Sequence, residues 1–287
     1  MKDGIIVRPY LPVGLYSSAH FAHRDARMVI RDDVIYSAVR FRPVELDDYV
    51  LEREWVTTVE VRLLAALVLA VPELGRITPY PYPRFLRVDD RGEDLSDDAV
   101  AESLGGMLVE WMEDQDYDFW LTVDRPPIHG GPPYRFHSNA GDTEKQMEVF
   151  EAILPDDHLM LRGLGAILKA GLLDRHHLFH TEACMSLYVA MEASLHIILQ
   201  HLGQSMPNPS NEDASRFVAE IFESRHVPKK YFEGFYENRV MAVHPNSRYG
   251  AFPEVPLMAD DYYELDRQMR GLYDFFLTGT IHESMRG

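Results

Sequence analysis

The sequence lacks several features that identify common protein classes. Its 287 residues contain one cysteine, Cys184, which excludes an intrachain disulfide framework and a cysteine-based zinc site. It also lacks the phosphate-binding motif GxxxxGK[ST], the dinucleotide motif GxGxxG, the serine elbow GxSxG and the zinc motif HExxH. The sequence therefore predicts no cofactor, and it does not indicate a P-loop, Rossmann, α/β-hydrolase or zincin enzyme.

Positive charge is scarce. The chain has 28 Lys and Arg residues against 46 Asp and Glu residues, which gives a formal net charge of −18. Nonspecific nucleic-acid affinity comes from cationic side chains that release counterions from the phosphate backbone, so this balance argues against a general DNA-binding protein. We expect RNA contact only at a local basic site.

Long hydrophobic runs are missing as well. The longest apolar run, Leu63 to Pro72, is too short to cross a bilayer, which takes about 20 helical residues. The first residues, MKDGIIVRPYLPVG, do not have the basic and then apolar layout of a signal peptide. We expect a cytoplasmic protein that has no membrane segment.

Residues 1–155 are expected to form a mixed α+β region of unknown role. Runs of β-branched and aromatic residues predict strands at Gly4–Tyr16, Met28–Val44 and Phe119–Val123. Apolar periodicity and capping residues predict helices at 47–71, from the N-cap Ser96 to Glu113, and at Thr143–Leu154. Prolines predict an extended linker at 79–83, and the Pro- and Gly-rich composition of 125–141 predicts a loop.

Residues 156–287 are expected to form an antiparallel helical bundle, so the chain as a whole is predicted to be mainly α. Apolar periodicity predicts helices at Asp157–Leu173, Thr181–Leu202, Glu212–Ser224, Lys229–His244 and Asp260–Thr280. The breaks between them contain glycine or proline, and short connections between amphipathic helices are typical of bundles. Cys184 falls on an apolar stretch, where an inert core thiol is expected.

The segment from Lys229 to Gly250 contains the pattern that indicates chemistry. Its apolar stripe consists of Phe232, Phe235, Tyr236, Val240 and Val243, and Arg239 occupies a position where this stripe would have another apolar residue. A buried guanidinium needs a partner. Arg239 is therefore either a structural residue held by a core carboxylate such as Glu192, or a residue that faces a groove and binds a phosphate. A planar guanidinium is well suited to bind a phosphate.

His244 follows Arg239 by five residues and directly precedes Pro245. The proline disfavours helix at His244, which therefore should lie at the helix end, where the imidazolium form is favoured. The segment is also a basic island, because five Lys or Arg residues between Arg225 and Arg248 outnumber two glutamates. The pattern predicts a proton-exchanging group near a phosphate-binding arginine.

Arg-x4-His near a helix end, followed by a turn and one long final helix, resembles the higher eukaryotes and prokaryotes nucleotide-binding (HEPN) family. The upstream stretch SLYVAMEASLHII, from Ser186 to Ile198, is similar to the second helix of that family. The resemblance covers only the C-terminal half. It implies a helical bundle that forms a homodimer, in which the arginines and histidines of two protomers share one cleft.

The resemblance implies a metal-independent endoribonuclease or RNA-binding protein of toxin or antiviral defence type. Arg239 would bind the scissile phosphate, and His244 would act as general acid or base. Five residues would support them: Glu192, Asn238, Lys229, Lys230 and Arg248. The alternative is a catalytically inactive HEPN-like module for dimerisation or ligand binding, as many members of the family are.

A weaker alternative is a metal-dependent hydrolase. His176 and His180 are four residues apart, so a helix would place them on one face, as zinc ligands require. A third ligand would have to come from Glu182 or Asp174. A polar helix start explains the same histidines, and the leading hypothesis needs no metal.

Overall fold

In the computed structural model, the chain divides into two compact units, Met1–Glu151 and Ala152–Gly287, called here the N-terminal unit and the helical unit. The division falls close to Pro155, where the sequence places a boundary. The structure describes residues 3–11, 21–30, 35–41, 56–70, 80–82, 84–114, 143–174, 179–223, 230–243 and 259–281. The side chains of residues 11, 80, 238–243 and 259–261 lie outside this description.

An antiparallel sheet forms the centre of the N-terminal unit. Its strands are β1 (Gly4–Leu11), β2 (Phe21–His23), β3 (Ala26–Ile30), β4 (Ile35–Phe41), β5 (Tyr80–Pro81) and β6 (Leu86–Asp89). The strand order is β2-β3-β4-β1, and β5 and β6 both pair with the other side of β1. The register of β1 against β4 runs from Gly4 opposite Phe41 to Pro9 opposite Tyr36.

Helices cover both faces of this sheet, because successive side chains of a strand point to opposite sides. Ile5 and Val7 of β1 belong to one core cluster with Tyr36 of β4 and with Leu104 and Leu108 of α2 (Asp98–Glu113). The opposite face packs against α1 (Thr58–Leu69). A third helix, α3 (Thr143–Ala152), places the ring of Phe150 against those of Phe21 and His23.

The structure corrects two local predictions for the N-terminal unit. The N-cap of α2 is Asp97 and not Ser96, because the carboxylate of Asp97 accepts a hydrogen bond from the backbone N–H of Ala99, whereas Ser96 donates to Asp94. The predicted linker at 79–83 contains β5, which pairs with Tyr10 and Leu11 of β1. The predicted strand Phe119–Val123 and the predicted loop 125–141 lie outside the described residues.

The helical unit contains five helices, α4 (His158–Leu173), α5 (His180–Gly203), α6 (Asn211–Ile221), α7 (Tyr231–Val243) and α8 (Ala259–Thr278). Helix α5 packs against each of the other four. Its inner face buries Leu187, Met191 and Ile198, and it also buries Cys184, as expected for an inert thiol. Each helix predicted for residues 156–287 is present, so the prediction of a mainly helical chain with an α+β N-terminal region is confirmed, and the structure shows that the N-terminal sheet is antiparallel.

Candidate functional site

A cleft of about 430 Å³ lies between α5 and α7, beside the start of α6. Volumes of this size are typical of small-molecule sites, which span about 300–1,000 Å³. The lining is half apolar or aromatic and half polar: Tyr188, Met191, Leu195, Phe232 and Tyr236, together with Glu192, His196, Asn211, Glu233 and Glu237. Such a lining provides an apolar surface that contacts a ligand and a few polar groups that orient it.

Helix periodicity explains why these side chains converge. On α5, residues 188, 192 and 196 are four apart and therefore lie on one face of the helix. On α7, Phe232 and Tyr236 show the same spacing, and so do Glu233 and Glu237. Ser210 caps α6 by a reciprocal arrangement with Asp213 and so fixes the position of Asn211 at the rim of the cleft.

Aromatic contacts hold α7 against its neighbours. The ring of Phe235 lies 6.4 Å from that of Tyr188 on α5 and 4.9 Å from that of Tyr231. The hydroxyl of Tyr231 donates a hydrogen bond to Oε1 of Gln268 on α8, with an oxygen–oxygen distance of 2.5 Å. Burial raises the pKa of Tyr231 above its usual value, so this hydroxyl stays a proton donor near neutral pH. The wall of the cleft formed by α7 is therefore anchored on two sides.

Carboxylates dominate the charge of the cleft. Its described lining includes three glutamates and no lysine or arginine. At the rim, the ammonium of Lys230 lies 2.9 Å from the carboxylate of Glu233, and this contact raises the pKa of Lys230. Glu237 lies one helical turn further along α7 and forms no ion pair with any described residue. The described part of the cleft thus carries a net negative charge.

The structure brings together only part of the site predicted from the sequence. Glu192 lines the cleft and is exposed. Lys230 precedes α7 at the rim and is 79% exposed. Arg239 and Asn238 belong to α7, but their side chains lie outside the description. Lys229, His244 and Arg248 lie outside the described residues altogether.

The apolar stripe predicted on α7 is wrong at one position. Phe232 is buried and Phe235 is half-buried, as expected, but the side chain of Tyr236 is 62% exposed. Tyr236 lies one turn after Phe232 on α7, and both residues line the cleft. The residue expected in the core is therefore part of the candidate site.

The candidate metal ligands are brought together only as a pair. Nδ1 of His180 lies 3.2 Å from Oδ1 of Asp174, and the His180 ring lies 5.5 Å from that of Tyr262 on α8. Glu182 is exposed on the first turn of α5, and His176 lies outside the described residues. No group of three or more potential metal ligands occurs within the described ranges.

Helix α8 contains a buried ion pair. Nε of Arg270 lies 2.8 Å from Oδ2 of Asp266, and both residues are buried. Burial raises the pKa of Asp266, whereas the neighbouring guanidinium lowers it by a smaller amount. The other oxygen, Oδ1, has no hydrogen-bond partner among the described residues. An incompletely paired carboxylate in the core is costly, so this pair is a point where pH affects stability.

Comparisons with protein-family models, with curated proteins and with solved structures find no match to this chain. Within the described residues, one helix is long and apolar enough to cross a membrane, the 24-residue α5. Half of its most apolar window is buried within the protein, and a buried core helix meets the same length and composition criteria.

Sequence reasoning did not find most of the cleft. Tyr188, His196 and Asn211 were not among the predicted site residues, although each lines it. The available signal was the four-residue spacing of Tyr188, Glu192 and His196, which places polar atoms along an otherwise apolar helix. That spacing does not reveal which helix lies opposite, because packing between helices is not a local property.

Proposed function

We propose that the helical unit is a ligand-binding module and that the cleft between α5 and α7 is its site. The observation that carries this proposal is the lining itself, an apolar and aromatic seat edged by five polar side chains. The contacts of Tyr231 and Phe235 fix one wall, so the site is preformed. Preformed concave sites of mixed lining are typical of small-molecule binding.

The HEPN resemblance remains part of this proposal. It rests on the Arg-x4-His pattern and on the stretch SLYVAMEASLHII, which contributes Tyr188, Glu192 and His196 to the cleft. A homodimer in which two such clefts share residues would follow from the resemblance. Light scattering of the purified chain at several concentrations tests this expectation directly, and a monomer throughout would contradict it.

A metal-independent ribonuclease is the second candidate function. It is favoured by one observation, that Arg239 belongs to α7, the helix that forms one wall of the cleft. Arg239 follows Tyr236, which lines the cleft, by three residues on this helix. His244 would then exchange protons at the end of the same helix.

Binding is preferred to RNA cleavage because of the charge in the cleft. A phosphodiester that entered it would meet the like charges of Glu233 and Glu237, which repel it. Among the described residues, Lys230 offsets this repulsion only at the rim, where it already contacts Glu233. A neutral or cationic ligand meets no such barrier.

The binding proposal is tested with a fragment library that contains cations, anions and neutral compounds. The full-length protein carries a carbon-13 label in its methionine methyl groups, and Met191→Leu assigns the signal of the residue that lines the cleft. We expect fragments to move the Met191 signal. A library that leaves this signal unchanged while it moves other methionines would contradict the proposal.

The ribonuclease proposal is tested by cleavage of RNA in the presence of EDTA. Activity should disappear in Arg239→Ala and in His244→Ala but persist in Arg267→Ala, a control that removes a half-exposed arginine paired with Glu264 on α8. Circular dichroism checks that each variant is folded. Cleavage that is equal in all four proteins would reject the assignment of Arg239 and His244.

A further inference from the structure

We infer that the ligand of the α5–α7 cleft is an organic cation, a positively charged nitrogen attached to an apolar body. This inference rests on the proposed function of the cleft and adds the chemical class of its ligand. It depends on two features of the described lining, the excess of carboxylates and the position of aromatic rings beside them.

The first feature is the charge. Glu192 is on the α5 wall and Glu237 on the α7 wall, so a ligand between the helices has a carboxylate on either side. Glu233 is offset by Lys230 at 2.9 Å, whereas Glu237 has no ion-pair partner in the ranges that the structure describes. Among the described residues of the lining, Glu237 therefore attracts positive charge and repels anions.

The second feature is the aromatic lining. Tyr236 directly precedes Glu237 in the sequence, lines the same cleft and is 62% exposed. A cation that contacts both residues gains an ion pair and a cation–π contact, which is favourable within about 6 Å of a ring centre. Phe232 and Tyr188 add further ring surface to the lining.

The apolar part of the cleft decides which cations fit. Met191, Leu195 and Phe232 give the cleft an apolar surface, and no group of three or more potential metal ligands occurs among the described residues. Alkylated or aromatic ammonium groups are weakly hydrated and bury their carbon atoms against such a surface at little cost. The cleft therefore suits a substituted ammonium ion better than Mg²⁺, Ca²⁺ or a phosphate ester.

Three probes of similar size and shape but different charge test whether the charge of the ligand determines its affinity. Phenyltrimethylammonium is the cation, tert-butylbenzene is its neutral isostere, and benzenesulfonate is an anion of similar size. Each is titrated into the full-length protein while the methyl signal of Met191 is followed. We expect the cation to bind at least about tenfold more tightly than the other two and to weaken as salt is added.

Charge variants show which carboxylate of the cleft causes the preference for the cation. Glu237→Gln should weaken binding of the cation by about five- to tenfold, because it removes one carboxylate and keeps the side-chain shape. Glu220→Gln is the matched control, since Glu220 is exposed on α6 and does not line the cleft. It should leave the affinity unchanged.

The outcomes distinguish this inference from the proposed function. Equal affinity for the cation and its neutral isostere, or preference for the anion, overturns the organic-cation assignment but leaves the cleft as a binding site. No response of Met191 to any of the three probes also overturns the assignment, and the fragment library then decides separately whether the cleft binds anything.

Discussion

The guanidinium of Arg8 and the carboxylate of Glu60 form an ion pair in which both side chains are completely buried. The Arg8 Nε–Glu60 Oε1 distance is 2.5 Å and the Nη2–Oε2 distance is 3.2 Å. Arg8 also donates from Nη1 to the carbonyl oxygen of Tyr82 at 2.7 Å, and Glu60 accepts from the backbone N–H of Thr57 at 2.8 Å. The pair thus connects β1 to the first turn of α1.

Removing one partner of this pair should strongly destabilise the N-terminal unit. Arg8→Met leaves the Glu60 carboxylate buried without its counter-charge, which typically costs about 3–5 kcal/mol. The double variant Arg8→Met with Glu60→Met should recover part of this loss, because two apolar side chains leave no buried charge. Urea unfolding measures the free energies, and Arg91→Met, at an exposed position, is the control. A loss below about 1 kcal/mol in Arg8→Met would contradict the account.

Gly163 on α4 should not tolerate a side chain. A Cβ atom at this position would lie 1.7 Å from Oη of Tyr273, which is fully buried and donates a hydrogen bond to the carbonyl oxygen of Ala190 at 2.8 Å. Neither atom can move freely, so we expect Gly163→Ala to lower the free energy of unfolding by about 1–3 kcal/mol or more.

Gly165, on the same helix, supplies the control for that substitution. A Cβ atom there meets nothing within 4 Å, so Gly165→Ala should raise stability by up to about 1 kcal/mol through helix propensity. Unfolding of both variants in urea measures the contrast. Equal effects of the two substitutions would show that α4 and α8 do not pack as closely as described.

The stability of the helical unit should depend on pH through Asp266. Burial raises the pKa of this carboxyl in the folded state, so stability is greatest when Asp266 is protonated and falls as pH rises through the folded pKa. Arg270→Met removes the neighbouring positive charge, which raises that pKa further and should cost about 3–5 kcal/mol at neutral pH.

The deficit of Arg270→Met should shrink on acidification, because a protonated Asp266 needs no counter-charge. Urea unfolding at about pH 4.5 and about pH 7.5 gives the comparison, with Arg267→Met on the same helix as control. The double variant Asp266→Asn with Arg270→Met should lose the pH dependence. A deficit of Arg270→Met that is the same at both pH values would show that Asp266 does not titrate as described.

The helices of the C-terminal half could be predicted from the sequence because their signals are local. Asp157 and Ser210 are N-caps whose side chains accept backbone hydrogen bonds, and glycine or proline interrupts the apolar periodicity between helices. Ser96 misled the prediction of the α2 start because Asp97, the next residue, caps equally well.

Contacts between elements that are distant in the sequence could not be predicted in this way. The capping box of Thr57 and Glu60 is visible in the sequence. The ion pair of Glu60 with Arg8, which is 52 residues away, depends on where β1 lies in the sheet. Tyr236 belongs to an apolar stripe by spacing alone, and only the distance between α5 and α7 makes it part of a cleft. Both cases depend on packing between elements distant in the sequence.

The most direct test of the central claim, that the α5–α7 cleft binds an organic cation, is the measurement of intermolecular nuclear Overhauser effects between bound phenyltrimethylammonium and the full-length protein. The account predicts contacts from the ligand protons to the methyl group of Met191 and to the ring of Tyr236, two residues on opposite walls of the cleft. Contacts confined to residues outside the cleft, or no contacts at ligand concentrations that saturate binding, would contradict it.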